Sequence, residues 1–557
     1  MNNERKSKAT KAHKAVSLAL AHCELWYSED RKGYATIDIA EHKENWRIDS
    51  PQFYEWLSGL YYAKYNDAFG SDTANNVRTL LTHKAKAAQH HKIYLRVARL
   101  ADEAIYIDLG GPDWKAVKVT PNGWEVVAPP IKFVRSSNTG QLPLPEHGGD
   151  INDLKPLITT SADNWELFKG FILDAYKGEP PYLALVVHGT QGSAKTCACR
   201  IIRNLIDPLC KAPMSTLPRD LKALGVDGQK EYVLCYDNVS YIPQWLSDGL
   251  CCVASGGGFK DRALYTDGEQ SIFDVARPIV LNGIPVSVES SDLLSRCLLV
   301  EQPMIPEDDR RPEKELNAEY AAIKGKVFGS ILDYLSDGLK NLPHTKLARL
   351  PRMADSIKWV SACFGNDAFM TAYRANEQEA VFNAIENSPV AKGIIELMEG
   401  KTNWEATPSE LATALDSVLS YDQRNAKDYP QGDKALGKRI KRDMPLLKSV
   451  GIVVSVVRKN SGRYYRFEKT QTPSVTIGGT DRLPVGQAIL SNGNGKAADY
   501  LDTLAILAAN ARIEYPDGRV KEPMIEAGRL SKSRFRFGWK TNKGISWELE
   551  SPPSNKA

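Results

Sequence analysis

The stretch HGTQGSAKT, His188–Thr196, decides how the chain is read. It has the spacing of the phosphate-binding signature G-x-x-x-x-G-K-[ST], with Gly189, Lys195 and Thr196 in their places and Ala194 where the second glycine belongs. Such a loop needs a buried strand to deliver it and a helix to leave it, so that backbone N–H groups and the helix dipole face the anion. Both neighbours are present: YLALVV (182–187) is a continuous apolar run, and Thr196–Ile206 fits a helix with Ile201, Ile202 and Leu205 on one face. Gly189 and Gly192 permit the tight path, while Thr190, Gln191, Ser193 and Ala194 complete the cradle. Lys195 can reach β and γ phosphates, and the Thr196 hydroxyl can bind Mg²⁺. Ala194 adds only a methyl group, which matters if that residue must take positive φ or lie against the phosphate.

Two more apolar strands end in residues suited to phosphate chemistry. EYVLCYDNV ends at Asp237, placed to hold Mg²⁺ directly or through water, and RPIVLNG ends in Asn282, which can orient water or sense a γ-phosphate. Asn238 follows Asp237 where many nucleotide hydrolases place an acid, and an amide cannot accept a proton from water near neutral pH. Short apolar strands alternating with helices from 151 to 340 imply a parallel sheet covered on both faces.

The 557 residues are 42% hydrophobic and 25% charged, which suits a multi-domain globular chain. No run reaches the roughly 18 apolar residues of a membrane span. Nine cysteines show neither C-x-x-C pairs nor a disulfide framework, so a reducing, cytoplasmic setting and no structural zinc are expected. The expected order is a basic flexible terminus (1–14), an α+β accessory domain (15–133), a Pro/Gly/Ser-rich linker (134–150) and a P-loop ATPase domain (151–340). After these come a helical connection (341–400), a winged helix (401–469), a flexible linker (470–497) and a small C-terminal domain (498–557) with a helix at YLDTLAILAANA. The fold class is thus an α/β P-loop core with an N-terminal α+β domain and a C-terminal winged helix. His90 and His91 are read as a solvated pair.

The phosphate-loop signature, Asp237, the stretch SGGGFKDRALYTDGEQ, RPIVLNGIP and LLSRCLLVEQP together resemble superfamily 3 helicases of the AAA+ class. The likeness is nearest to the helicase portion of primase-helicases carried by phages, plasmids and integrated elements, and it is strongest over 155–305. That resemblance implies ATP and Mg²⁺ as ligands, Lys195 and Thr196 as the Walker A pair, Asp237 as the Walker B acid and Asn282 as a sensor. It implies Arg296 as an arginine finger acting on a neighbouring subunit, with Arg277 as runner-up, and a homo-oligomer, hexameric in similar helicases. Some AAA+ families carry Ala before the lysine, and mobile-element relatives share the Asp-Asn pair, which implies slow hydrolysis with the base elsewhere. It also puts a pore loop at 256–262, where Lys260 and Arg262 would touch single-stranded DNA phosphates while Phe259 or Tyr265 stacks on bases.

The net charge of +4 hides a patch. From Lys434 to Arg466 there are ten Lys or Arg and one acid, Asp443. Lys438, Arg439, Lys441 and Arg442 fall on the candidate recognition helix, and Arg458, Lys459 and Arg463 flank the wing, a pattern suited to duplex DNA. No acidic pair suggests a primase site, so a primase or another replication protein is a possible partner and no membrane is. The expected function is an ATP-dependent DNA helicase or translocase in replication of a phage or mobile element. The alternative is an ATP-gated DNA-binding oligomer, an origin scaffold or anti-phage sensor, with little hydrolysis. A small-molecule kinase is a poor third, lacking an acceptor pocket.

Overall fold

The computed structural model describes residues 10–470, except 102, 263–269, 284–289, 426–428 and 460–461, and the backbone of strands between 513 and 550. The chain divides into two compact units, Met1–Asn387 and Ser388–Ala557.

At the centre of the first unit is a four-stranded, all-parallel sheet. Its order is Leu234–Tyr236, Ile279–Gly283, Ala184–His188, Cys297–Glu301. The strands read as unbroken apolar runs because successive side chains enter two different cores. Leu185, Val187, Cys235, Val280, Leu298 and Val300 join one cluster, with Phe168 and Phe171 of the helix Ala162–Ala175 and Ile202 of the helix Lys195–Ile206. Ala184, Val186, Leu234, Tyr236, Ile279, Leu281 and Leu299 join the other, with Leu224 of the helix Leu221–Lys230 and Leu246 and Leu250 of the helix Gln244–Ser255. Each fully buried aliphatic side chain contributes about 1.5–3 kcal/mol, so the sheet is clamped from both sides.

The first cluster reaches well beyond the sheet. Val97, Ile105, Val117 and Val119 enter it from an antiparallel sheet formed by Val97–Arg99, Ile105–Asp108, Ala116–Thr120 and Gly123–Val127. Phe328 and Leu332 enter from the long helix Glu313–Asn341, Trp359 from Ala354–Phe364, and Phe369 from Ala368–Glu386. Helices expected as a connection therefore close the same core. Residues 134–150, expected as a linker, are pinned: Arg135 donates through Nε to Asp108 at 2.8 Å, Gly140 N–H to the Pro208 carbonyl at 2.8 Å, and Glu146 N–H to Gly325 at 3.0 Å. Polar partners held this segment that composition alone marks as loose.

A buried ion network ties these parts together. Arg96, with no exposed surface, donates to Asp207 at 3.0 Å and to the carbonyls of Asp108 at 3.0 Å and Gly140 at 2.9 Å. Asp207 also accepts the N–H groups of Tyr232 at 2.9 Å and Val233 at 3.1 Å, beside the strand that ends at Tyr236.

Ahead of this lies a separate core on residues 11–90: the sheet His42–Arg47, Gly33–Ile39, Cys23–Tyr27, Gln89–His90, covered by the helices Lys11–His22, Pro51–Tyr65 and Ser71–Lys86. Its first helix starts inside the terminus expected to be flexible, because Thr10 caps it, accepting from His13 N–H at 3.2 Å, and Lys11 pairs with Asp67 at 2.9 Å. His90 and His91, expected as a solvated pair, lie against Tyr27 and Trp26, with ring centroids 5.3 and 5.6 Å apart.

The second unit runs helix Pro389–Leu397, strand Asn403–Ala406, helix Pro408–Val418, short helix Tyr421–Arg424, helix Asp433–Ser449, then the hairpin Ile452–Lys459 and Gly462–Lys469. Its sheet order puts Gly462–Lys469 between the other two strands. Leu411, Leu415, Leu436, Ile440, Leu447 and Phe467 are buried. The 470–497 linker and the helix expected at YLDTLAILAANA lie outside the described residues. The strands Phe535–Thr541 and Gly544–Glu550 pair within a four-stranded sheet.

Candidate functional site

The loop strand Ala184–His188 hands directly to residues 189–194, and the helix begins at Lys195. Gly189 has φ +148° and Gly192 φ +84°, values that favour glycine. Ala194 is left-handed, φ +56° and ψ 25°, and no side chain caps the helix it starts. The methyl therefore sits where the sequence alone made it matter. A left-handed alanine costs roughly 1–2 kcal/mol, a local strain held at the helix N-terminus, where the first-turn N–H groups have no intrahelical acceptors.

Lys195 is mostly buried and bends back on its own loop. Its ammonium donates to the Gly189 carbonyl at 2.9 Å, the Thr190 carbonyl at 2.6 Å and Ser193 Oγ at 3.2 Å. Burial lowers its pKa below the usual lysine range, against the opposing pull of Cys199 and Asp237. His188, at the loop entrance, is likewise lowered by burial. Three oxygens around one ammonium is a set that phosphate oxygens can replace.

Across the sheet, Asn282 Nδ2 donates to Asp237 Oδ1 at 2.5 Å and to Thr196 Oγ1 at 3.1 Å, and Thr196 Oγ1 lies 3.5 Å from Asp237 Oδ2. The pairing of Ile279–Gly283 between Leu234–Tyr236 and the loop strand dictates this meeting, because Asn282 is in register with Val187. Asn282 is 2% exposed, and its Oδ1 has no hydrogen-bond partner. A buried amide oxygen left open beside a hydroxyl and a carboxylate is costly unless something polar occupies the site.

Asn238 is exposed, and its backbone is left-handed at φ +57°. Asn is among the few non-glycine residues that enter this region readily, so backbone geometry accounts for the residue found after Asp237.

Arg296 is not part of this group. Its carbonyl accepts from Ala184 N–H at 3.0 Å, at the end of the strand opposite the loop, and its guanidinium pairs with Asp292 at 2.9 Å and Ser255 Oγ at 3.1 Å. Arg277 is spent on carbonyls of its own chain, Gly228 at 2.8 Å and Glu231 at 3.1 Å. The backbones of Lys260 and Arg262 lie on the strand Phe259–Arg262, paired antiparallel with Gln270–Phe273, whereas Tyr265 lies outside the described residues.

In the second unit, Lys434, Lys438, Lys441 and Lys448 are exposed at spacings that share one helix face. Arg439 turns inward, bonding Asp443 at 2.9 Å, which also accepts from Ser388 at 2.7 Å. Arg442 is half-buried. On the hairpin, Arg458 stands directly opposite Arg463, an arrangement of like charges that disfavours the hairpin on its own. Lys459 pairs with Glu405 and lies 4.7 Å from the Tyr464 ring centroid.

Comparison with known proteins bears on what these units serve. Residues 154–379 match the family model of the actinomycete integrative conjugative element replication protein, and residues 390–481 match that of the RepA C-terminal domain of the same elements. The chain is a mobile-element replication protein. The boundary between the two compact units of this replication protein, at 387/388, falls between the two matched stretches. No curated protein matches it. Two solved structures of the NrS-1 C-terminal region, both apo in the A form, are similar to it at 13% identity and a TM-score of 0.35; each covers 83% of the replication protein, with 100% and 98% of the NrS-1 chains covered.

The arginine over the loop, Arg310, is not singled out by the motif spacing. A Cβ built on Gly192 would lie 3.2 Å from its Nη2. The signal available was the pair Arg310–Arg311 in a Pro-rich stretch just after the strand neighbouring the loop strand.

Proposed function

We propose that this replication protein is an ATP-dependent motor on DNA, with a P-loop core of the AAA+ type followed along the chain by a winged helix. The observation that carries the reading is Asn282, whose buried amide bonds Thr196 and Asp237 while its own oxygen is left unpartnered next to the Lys195 loop. The residues fit a magnesium nucleotide. Thr196 and Asp237 would hold Mg²⁺, which when bound neutralises charge on the phosphates. Lys195 would leave its loop carbonyls for phosphate oxygens. The uncapped helix start at Ala194 would face the same anion. Asn282 would fix the Asp237 carboxylate and align water.

Arg296 in this reading acts on a neighbouring subunit's nucleotide, which suits its position at the sheet end away from its own loop. A ring, hexameric as in similar helicases, would carry the Lys260 and Arg262 hairpin to single-stranded DNA, and the lysine face of Asp433–Ser449 with Arg458 and Arg463 would hold duplex. Among the described residues no three His, Cys, Asp or Glu side chains converge as a metal cage, and no helix is long and apolar enough to cross a membrane.

Asn238 supports a second reading, an ATP-gated DNA-binding oligomer with minimal turnover, because no carboxylate follows Asp237. Electron microscopy of the full chain with an ATP analogue and forked DNA, beside a strand-separation assay with ATP, distinguishes the two. Rings on DNA with separated strands support the motor. ATP-dependent oligomers that leave the fork paired support the gated binder, and failure to assemble or bind DNA contradicts both.

A further inference from the structure

The segment after the strand Cys297–Glu301 runs along the phosphate loop and is fastened to it at both ends. Gln302 N–H donates to the His188 carbonyl at 2.8 Å, and Ile305 N–H donates to the Gly192 carbonyl at 3.4 Å. Farther on, Glu313 pairs with Arg200 of the loop helix. Between these points the segment presents Arg310 to the loop, its Nη2 3.2 Å from where a Cβ on Gly192 would stand.

The guanidinium is only loosely engaged within the chain. Its Nε donates to the Ile305 carbonyl at 3.2 Å, and Nη1 lies 3.5 Å from Glu307, a carboxylate that is itself 87% exposed. Arginine carries five N–H donors in a planar fork suited to phosphate. One carbonyl and one wide, solvated ion pair leave most of that fork uncommitted at the edge of an anion-binding loop. An exposed pair of this kind is weakly held, so a phosphate group can displace the carboxylate.

We infer that Arg310 is a nucleotide-phosphate contact supplied in cis, exchanging Glu307 for phosphate oxygens when a nucleoside triphosphate fills the loop. The inference rests on reading residues 189–196 as a nucleotide site. It assigns Glu307 an opposing role: in the empty protein it competes for the guanidinium, so binding must break that pair. It also gives Gly192 a second reason to be glycine, since a side chain there would be strained at φ +84° and would crowd Arg310.

Calorimetric titration of the full chain with the magnesium complex of the β,γ-imido analogue of ATP tests this. Arg310→Ala should weaken binding about tenfold, the size of one lost charge-assisted contact, and Arg310→Lys should recover part of the loss. Glu307→Ala should tighten binding severalfold, a gain that a merely structural segment would not produce and that does not depend on Arg310→Ala folding normally. Wild-type affinity in Arg310→Ala, or no gain in Glu307→Ala, overturns the inference while leaving the nucleotide site standing. A wild-type chain that fails to bind the analogue, matching Lys195→Ala, overturns both.

Discussion

The Asn282 amide lies 2.5 Å from Asp237 and 3.1 Å from Thr196, so one buried side chain fixes two candidate magnesium ligands that arrive from different elements. Replacing it with alanine should remove both bonds and leave Asp237 Oδ1 with only the Asn238 N–H, at 2.8 Å. The expected result is a loss of about 1–3 kcal/mol in stability, the penalty for stranding buried polar partners, and at least a tenfold fall in any ATP turnover. Thermal unfolding and steady-state hydrolysis of Asn282→Ala check the two parts.

Ala194 yields a prediction of opposite sign. Glycine would relieve the left-handed strain of roughly 1–2 kcal/mol but would add about 0.4–1 kcal/mol of unfolded-state freedom. Ala194→Gly should therefore match or slightly exceed the wild type in thermal midpoint, and Ala194→Val should fall clearly below it. The same logic holds at Asn238: Asp is tolerated in that region, so Asn238→Asp should fold normally, while Asn238→Val should be destabilised. Thermal midpoints of the four variants check this.

Much of the site was legible in the sequence, for a physical reason. The loop strand, the strand ending at Tyr236 and the strand carrying Asn282 are buried on both faces, so each reads as an apolar run broken by one polar residue at its tip. Register then brings those tips together. What could not be read was set by long-range contacts. Nothing local tells that Arg96 will be buried against Asp207, that residues 134–150 will be pinned by Asp108 and Pro208, or that Arg310 will return over Gly192. The start of the helix Lys11–His22 falls inside the expected terminus for a smaller reason, since its capping Thr10 stands among basic residues.

Arg96 and Asp207 make the fold itself testable. Removing the guanidinium in Arg96→Ala leaves Asp207 buried with fewer partners and should cost about 3–5 kcal/mol. Burial pushes the Asp207 carboxyl up, but Arg96 and Arg203 outweigh it and hold the group below its ordinary range. Its contribution is therefore present above the unfolded value near 3.8 and is lost as the pH falls through the lower folded value. Unfolding midpoints measured from neutral pH down through this range should converge for wild type and Arg96→Ala at the acid end.

The basic helix of the second unit separates binding from folding. Lys438→Ala and Lys441→Ala should weaken duplex binding uniformly across sequences, each reducing the salt-dependence slope by about 1, with little change in stability. Arg439→Ala should instead lower stability, because it strips a partner from buried Asp443. Salt-dependent DNA titrations beside thermal melts check the contrast.

The central claim is that residues 189–196, with Asp237 and Asn282, form a nucleotide site whose turnover is coupled to DNA. Its most direct test is steady-state ATP hydrolysis by the full chain, with and without single-stranded DNA, for wild type and Lys195→Ala. The account predicts hydrolysis that rises with DNA and disappears in Lys195→Ala. A rate that ignores DNA and survives the loss of Lys195 would contradict it.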